Sequence, residues 1–429
     1  MKYRKTAPTL ATAVAFAIAS AGVAGTAAAD ELSELKAAVA ALQARLEKLE
    51  SQTQEAVDTN DKQTDLIAKV RTGVPEWVGR TGWTGDFRYR NENIEQEFAT
   101  KDRNRDRVRA RLGVVAKAND TLRAGVQIAT SESNDPRSSN QTITGENSRK
   151  TVNLDLAYAE WQPNITWKVT AGKMKLPWLR PGQSVLIDGD VNPEGLAVNY
   201  TPNANFFATA AYNILEERAA AGESIMAGGQ VGYRWNFSPA TRLTLGAGYF
   251  DFTGVQGKNP FYNASSNGNT TTTLGTVCRP GASPCLLSDF TELEGFGELT
   301  TMVGKLPLSF HADYWQNTDA ETDFDTAYSV GVMLGRVSNS RTWEIGYVFQ
   351  HVEKDAVYGQ YIDSDFGGGN TDAEGSIFKV GYAFARNWAL NLTYFMNDIN
   401  IDVPVTIAGQ GAVLDRSYKR LQVDLNVKY

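Results

Sequence analysis

Three features of this 429-residue sequence predict an all-β transmembrane fold, an antiparallel up-and-down β-barrel of about 16 strands preceded by an N-terminal coiled-coil helix. The first is a two-residue alternation of apolar and polar side chains from Trp83 to Tyr429. The second is that tight turns and long polar loops alternate along the chain, as they do when turns lie on one side of a membrane and loops on the other. The third is an export signal ahead of both.

Residues 1–29 read as a signal peptide. Lys2, Arg4 and Lys5 precede an apolar run from Leu10 to Ala24, and Ala27, Ala28 and Ala29 supply the small residues of a cleavage site before Asp30. After Asp30 no stretch approaches the roughly 18 apolar residues of a spanning helix, so a membrane location requires strands. The mean hydropathy of -0.34 agrees with this, because alternating strands average out their lipid face. Removing Lys2, Arg4 and Lys5 takes the formal charge from -7 to -10, which argues against nucleic acid as a partner.

Residues 30–72 carry a helical period. Leu32, Leu35, Val39, Leu42, Leu46 and Leu49 step by three and four, and the register continues through Thr53, Ala56, Asn60, Gln63, Ile67 and Val70. Two readings fit: one amphipathic helix packed on a domain, or a short oligomerising coiled coil, here placed in the periplasm. Thr72-Gly73-Val74-Pro75 ends it.

From residue 80 to 429 the period is two. Val108, Ala110, Leu112 and Val114 oppose Arg107, Arg109 and Arg111; Leu122, Ala124, Val126 and Ile128 oppose Arg123 and Gln127. Further strands are expected at Val152, Trp167, Leu196, Phe206, Ile225, Leu243, Leu293, Phe310, Val330, Ile345, Val380 and Leu392. The last, Arg420 to Tyr429, sets Leu421, Val423, Leu425, Val427 and Tyr429 toward lipid and Arg420, Gln422, Asp424, Asn426 and Lys428 toward the pore. Turns are expected at 118–120, 162–164, 202–204, 236–239 and 386–387, and loops near 92–104, 133–149, 175–194, 254–288, 354–374 and 399–416.

For a channel, function is the charge that lines the lumen. Arg88, Arg90, Arg107, Arg109, Arg111 and Arg123 share the polar parity of three adjacent strands and form one basic wall, some of it neutralising Asp86 or Asp155. The segment 176–194 is too apolar for an exposed loop, with Val185, Leu186 and Ile187 between prolines, and is expected to fold into the barrel. Asp188, Asp190 and Glu194 would then face the arginines as a constriction. Glu292, Glu294 and Glu298 would line the opposite side. With both signs present, ion preference stays open.

Cys278 and Cys285 are the only cysteines, and an exported chain favours a disulfide between them over metal or redox chemistry. Asp363 to Glu374 places Asp363, Asp365 and Glu374 at calcium-loop positions, but Gly367 replaces the fifth ligand and no helices flank the run, so a glycine-rich loop tip is expected. Ser309 and His311 form the one nucleophile and base pair that the alternation assembles. No hydrolase, zinc-protease, phosphate-loop or dinucleotide motif accompanies them, so neither catalysis nor a cofactor is expected.

Gly172-Lys173-Met174-Lys175-Leu176-Pro177-Trp178, the run Asp188 to Ala197, and Glu353 to Val357 leading to Asp363-Ser364-Asp365-Phe366-Gly367-Gly368-Gly369 resemble the putative porin family of Gram-negative outer membranes. The resemblance covers the chain after the signal and relates it to 16-stranded trimeric porins, including phosphate-selective ones. It implies a water-filled homotrimeric channel in outer-membrane lipid, passing small hydrophilic solutes or ions. Tyr429 resembles the terminal aromatic signal read by the barrel-assembly machinery. A structural anchor with a plugged barrel is the second reading.

Overall fold

The structure is a computed structural model that describes residues 27–73, 76–132, 134–182, 184–219, 222–260 and 265–429. It divides into two compact units, Met1–Val78 and Gly79–Tyr429. Most of the expected signal peptide, residues 1–26, lies outside the described residues.

The first unit is one long helix, α1 (Ala27–Gly73), and a single turn, α2 (Glu76–Gly79). Strong helix formers fill α1 and no proline interrupts it. Leu42, Leu46 and Leu49 of its seam are 64%, 60% and 57% exposed.

The second unit is a closed antiparallel barrel of sixteen strands. In chain order they are β1 (Thr81–Gln96), β2 (Arg103–Lys117), β3 (Leu122–Thr130), β4 (Val152–Trp161), β5 (Trp167–Lys173), β6 (Glu194–Tyr200), β7 (Phe206–Glu216) and β8 (Ser224–Asn236). The second half follows as β9 (Arg242–Thr253), β10 (Phe290–Val303), β11 (Leu306–Asn317), β12 (Thr326–Gly335), β13 (Trp343–Val352), β14 (Ala373–Ala385), β15 (Trp388–Ile399) and β16 (Arg416–Lys428). Each strand pairs with its sequence neighbour, and β16 pairs with β1 from Asp86 opposite Lys428 to Gln96 opposite Tyr418. Closure leaves no edge to solvate, the condition for crossing hydrocarbon with strands.

The joint is finished by the last residue. Tyr429 exchanges both backbone hydrogen bonds with Gly85, at 3.0 and 3.1 Å. Its ring lies where a Cβ on Gly85 would stand, so glycine there admits the aromatic.

Eight loops leave one end of the barrel: L1 (97–102), L2 (131–151), L3 (174–193), L4 (217–223), L5 (254–289), L6 (318–325), L7 (353–372) and L8 (400–415). L1 is shorter than the expected 92–104, because β1 and β2 pair out to Ile94 opposite Arg103. Asn91, Asn93 and Glu95 make the outer face polar there and Ile94 falls on the inner one, so the apolar-out period that marks a strand is lost from the sequence. Cys278 and Cys285 of L5 are disulfide-bonded.

The apolar core lies inside the barrel. Met174, Trp178, Leu186 and Val191 of L3 join Tyr358, Ile362 and Phe366 of L7 against Phe250, Phe252, Phe290 and Trp315 of β9, β10 and β11. Phe250 stacks on Trp315 at 5.1 Å and meets Trp178 edge-on at 4.9 Å.

Candidate functional site

Register builds a basic wall from three strands. On β2, Arg105, Arg107, Arg109 and Arg111 point inward at every second position; on β1, Asp86, Arg88, Arg90 and Glu92 stand opposite them. β16 adds Gln422, Asp424 and Asn426 opposite Glu92, Arg90 and Arg88. Arg88 therefore faces Arg109, and Arg90 faces Arg107, across the strand pair. Like charges so placed repel, and the carboxylates that offset them come from diagonal neighbours and from loops.

Arg90 grips Asp424 with two hydrogen bonds of 2.7 and 2.8 Å and donates a third, at 2.9 Å, to Asp365 of L7. Asp86 accepts from Arg109 at 3.0 Å and from Arg111 at 2.7 Å. Glu92, fully buried, takes Arg105, Arg107 and Arg420 together. Asp365 takes Arg420 at 2.7 Å as well, and Arg88 donates to Asn426 at 2.9 Å and lies 3.6 Å from Asp424. Burial opposes ionisation of Asp365, but Arg420 and Arg90 hold its carboxyl well below the usual range.

L3 closes this lattice from across the lumen. Asp190 reaches Arg111 at 3.3 Å and Arg109 at 3.7 Å. On the far side Leu179 exchanges two 2.9 Å hydrogen bonds with the Gln230 side chain of β8, and Ser184 donates to Asp313 of β11 at 2.6 Å. One loop thus touches opposite walls, which places it across the bore. Cavities of about 600, 490 and 460 Å³ lie at the loop mouth, between L2 and L3, and on the turn side of L3 beside Arg123 and Lys168.

A family profile described as "Putative porin" matches residues 94–334 and 299–429. The chain belongs to that family. No curated protein sequence matches it. Among solved structures, Pseudomonas putida OprB at high pH is similar with 13% identity and a TM-score of 0.53 over 87% of this chain and 97% of its own. The trimer form of Vibrio cholerae OmpT has 14% identity and a TM-score of 0.48 over 81% and 99%. Salmonella typhi OmpF with daunomycin has 11% and 0.47 over 81% and 97%. At 13% identity the OprB likeness shows a shared barrel fold. Family and barrel together make the chain an outer-membrane channel of porin type.

In this porin-family barrel Arg88, Arg90, Arg107, Arg109 and Arg111 sit together on the wall. Arg123 stands apart near the turn end, paired with Glu160. Asp86 takes two of the arginines, whereas Asp155 bonds Gln127 and Asn192 instead. Of the three expected constriction acids, Asp190 alone meets the arginines. Asp188 is turned away: it is buried, accepts from Ser364 at 3.0 Å, and is pushed well above the usual range by burial and the Asp363 charge. Glu194 belongs to β6, is largely exposed and pairs with Lys173 at 2.9 Å, since the loop ends one residue before it.

Glu292, Glu294 and Glu298 face inward but do not form an open wall. The backbone N–H of Tyr358 donates to Glu292 at 2.6 Å, Gln230 donates to Glu294 at 2.8 Å, and the Gly182 N–H donates to Glu298. These acids lie under L3 and L7 as their anchors. The three acids of the calcium reading have separate partners: Asp365 goes to arginines, Asp363 caps the Asp365 and Phe366 N–H groups, and Glu374 bonds His351. Likewise His311 lies 3.5 Å from Ser329 rather than bonded to Ser309.

Sequence reasoning missed Glu92, Arg105, Asp365 and the wall role of Arg420. Parity would have supplied Glu92 had the 92–104 segment been read as strand, and Arg105 had the second strand been extended back from Arg107.

Proposed function

We propose that this barrel is a passive diffusion channel for small hydrophilic solutes and ions, with its bore set by L3 and its field by the arginine–carboxylate wall. The observation that carries this is Asp190 on Arg111 and Arg109, 3.3 and 3.7 Å away, on a loop anchored to the opposite wall. A fixed dipole across a narrowed lumen orders passing ions and excludes large solutes without consuming energy. Nothing in it calls for catalysis: the buried acids and arginines are spent on each other and on loop anchoring.

The wider reading is a homotrimer in outer-membrane lipid, exported by residues 1–29, with residues 30–72 as a periplasmic coiled coil and Tyr429 as the mark recognised by the barrel-assembly machinery. The exposed Leu42, Leu46 and Leu49 support the coiled coil, because such a seam requires partner helices. The aromatic core formed by L3 and L7 in the lumen favours a second reading, a plugged barrel serving as an envelope anchor.

Planar-bilayer recording separates the two. The diffusion channel gives stepwise conductance, and shortening 176–194 raises each step; a silent wild-type protein supports the anchor, and an unaltered step removes L3 as the constriction.

A further inference from the structure

The cavity of about 600 Å³ at the loop mouth has a composition that neither the wall nor the constriction accounts for. It is lined by Lys101, Arg103, Arg105, Lys354, Arg416 and Arg420, with Asp372 the one carboxylate among its lining residues. Three of these cations are already compensated. Lys354 holds Asp372 at 3.3 Å, while Arg105 and Arg420 share Glu92 and Arg420 also holds Asp365. Arg416 is held only by neutral oxygens, the Asn400 side chain at 3.3 Å and the Glu97 carbonyl at 3.1 Å, and its Nε is buried without a hydrogen-bond partner. Lys101 and Arg103 are exposed and have no carboxylate within 4.0 Å among the described residues.

Three positive charges without counter-charges thus edge one concave space on the lumen side of the barrel. L7 forms the facing wall through Ser364, Gly367, Gly368 and Asn370. Gly368 adopts φ +72°, a left-handed backbone conformation that glycine takes without strain. The volume suits a small organic anion, since ligand pockets run to about 300–1,000 Å³. A guanidinium held only by neutral oxygens gains most from an anionic acceptor.

We infer that this mouth cavity is a binding site for a small solute carrying two or three anionic groups, phosphate or carboxylate, captured between Lys101, Arg103 and Arg416 before it enters the bore. The purpose of the site rests on the diffusion-channel reading, but its occupancy does not.

Calorimetric titration of the detergent-solubilised full chain with inorganic pyrophosphate and, separately, with citrate tests binding without requiring conduction. Saturable binding of either is expected, and the responding anion names the preferred group. Arg416→Gln weakens it by about tenfold, the scale of one lost charge-assisted contact, and Lys101→Gln combined with Arg103→Gln by up to about a hundredfold, the scale of two. Lys117→Gln, an equal charge change at the turn end, leaves it unchanged, and native-gel migration verifies that each variant is folded. Absence of saturable binding to both anions, or binding indifferent to both sets of variants, overturns the site. A silent bilayer with intact binding would overturn the channel reading alone.

Discussion

On the β1, β2 and β16 side of the lumen each of Asp86, Glu92 and Asp424 contacts at least two guanidiniums, and Asp190 and Asp365 arrive from loops to do the same. On the β10 and β11 side Glu292, Glu294 and Asp313 are as deeply buried but have no cation within 4.0 Å among the described residues; neutral donors hold them. The first region is a charge lattice whose members hold one another in place. The second uses carboxylates as acceptors for loop backbone and side chains, and so positions L3 and L7. Removing a charge should therefore do opposite things in the two places.

Glu92 is the sharpest test because three guanidiniums converge on it. Glu92→Gln leaves Arg105, Arg107 and Arg420 buried against one another, and the cost is about 3–5 kcal/mol, the usual result of breaking a buried charge set from one side. Its counterpart, Glu294→Gln, keeps an acceptor for Gln230 and breaks no ion pair, so stability stays within about 1 kcal/mol or rises. Urea unfolding midpoints of the vesicle-inserted variants check both. Equal losses at the two sites would dissolve the distinction.

How much of this was legible differs between the regions. The strand count, the inward parity of the β2 arginines and the inward fold of Val185-Leu186-Ile187 follow from local pattern, because period and burial are imprinted residue by residue. The centre of the lattice was hidden for two physical reasons. Near the mouth the outer face leaves the lipid, so Asn91, Asn93 and Glu95 lose the apolar alternation that marks a strand, and Glu92 disappears into an apparent loop. Asp365 lies 275 residues from Arg90 in sequence, and only the descent of L7 into the bore joins them. L7 carried only a fragmentary form of the L3 signal: Ala356-Val357-Tyr358 and Tyr361-Ile362 are short apolar runs broken by Gly359 and Gln360 and followed by Asp363, Ser364 and Asp365.

A smaller effect is expected where the two regions meet. Asp190→Asn frees Arg109 and Arg111 from their loop partner while Asp86 still holds them. The anion-to-cation permeability ratio then rises about twofold, the worth of a partly solvated ion pair of roughly 0.5 kcal/mol. Reversal potentials under a potassium chloride gradient read this directly, and a shift toward cations would show that the lattice does not set the field.

The smallest effect extends the uncompensated kind of carboxylate to the mouth, where it titrates in an accessible range. Asp402 of L8 accepts the Lys354 N–H at 2.6 Å and gives its own N–H to Asp372 at 2.7 Å. Burial, then the Asp372 charge and Glu353, push its carboxyl up to about 6, with the Lys354 N–H hydrogen bond and then His351 opposing. An acid whose pKa is higher docked than undocked binds extra protons in the docked state between about pH 4 and 6, so docking of L8 on L7 weakens as pH rises through that window. Amide exchange in residues 400–415, corrected for its intrinsic pH dependence, should quicken several-fold from pH 4 to 7, less than a fully buried group would give because this one is half solvated. Asp402→Asn should flatten that dependence while keeping an acceptor for Lys354. If the wild-type slope persists in the variant, the titrating group lies elsewhere and the mouth carboxylate belongs with the compensated class.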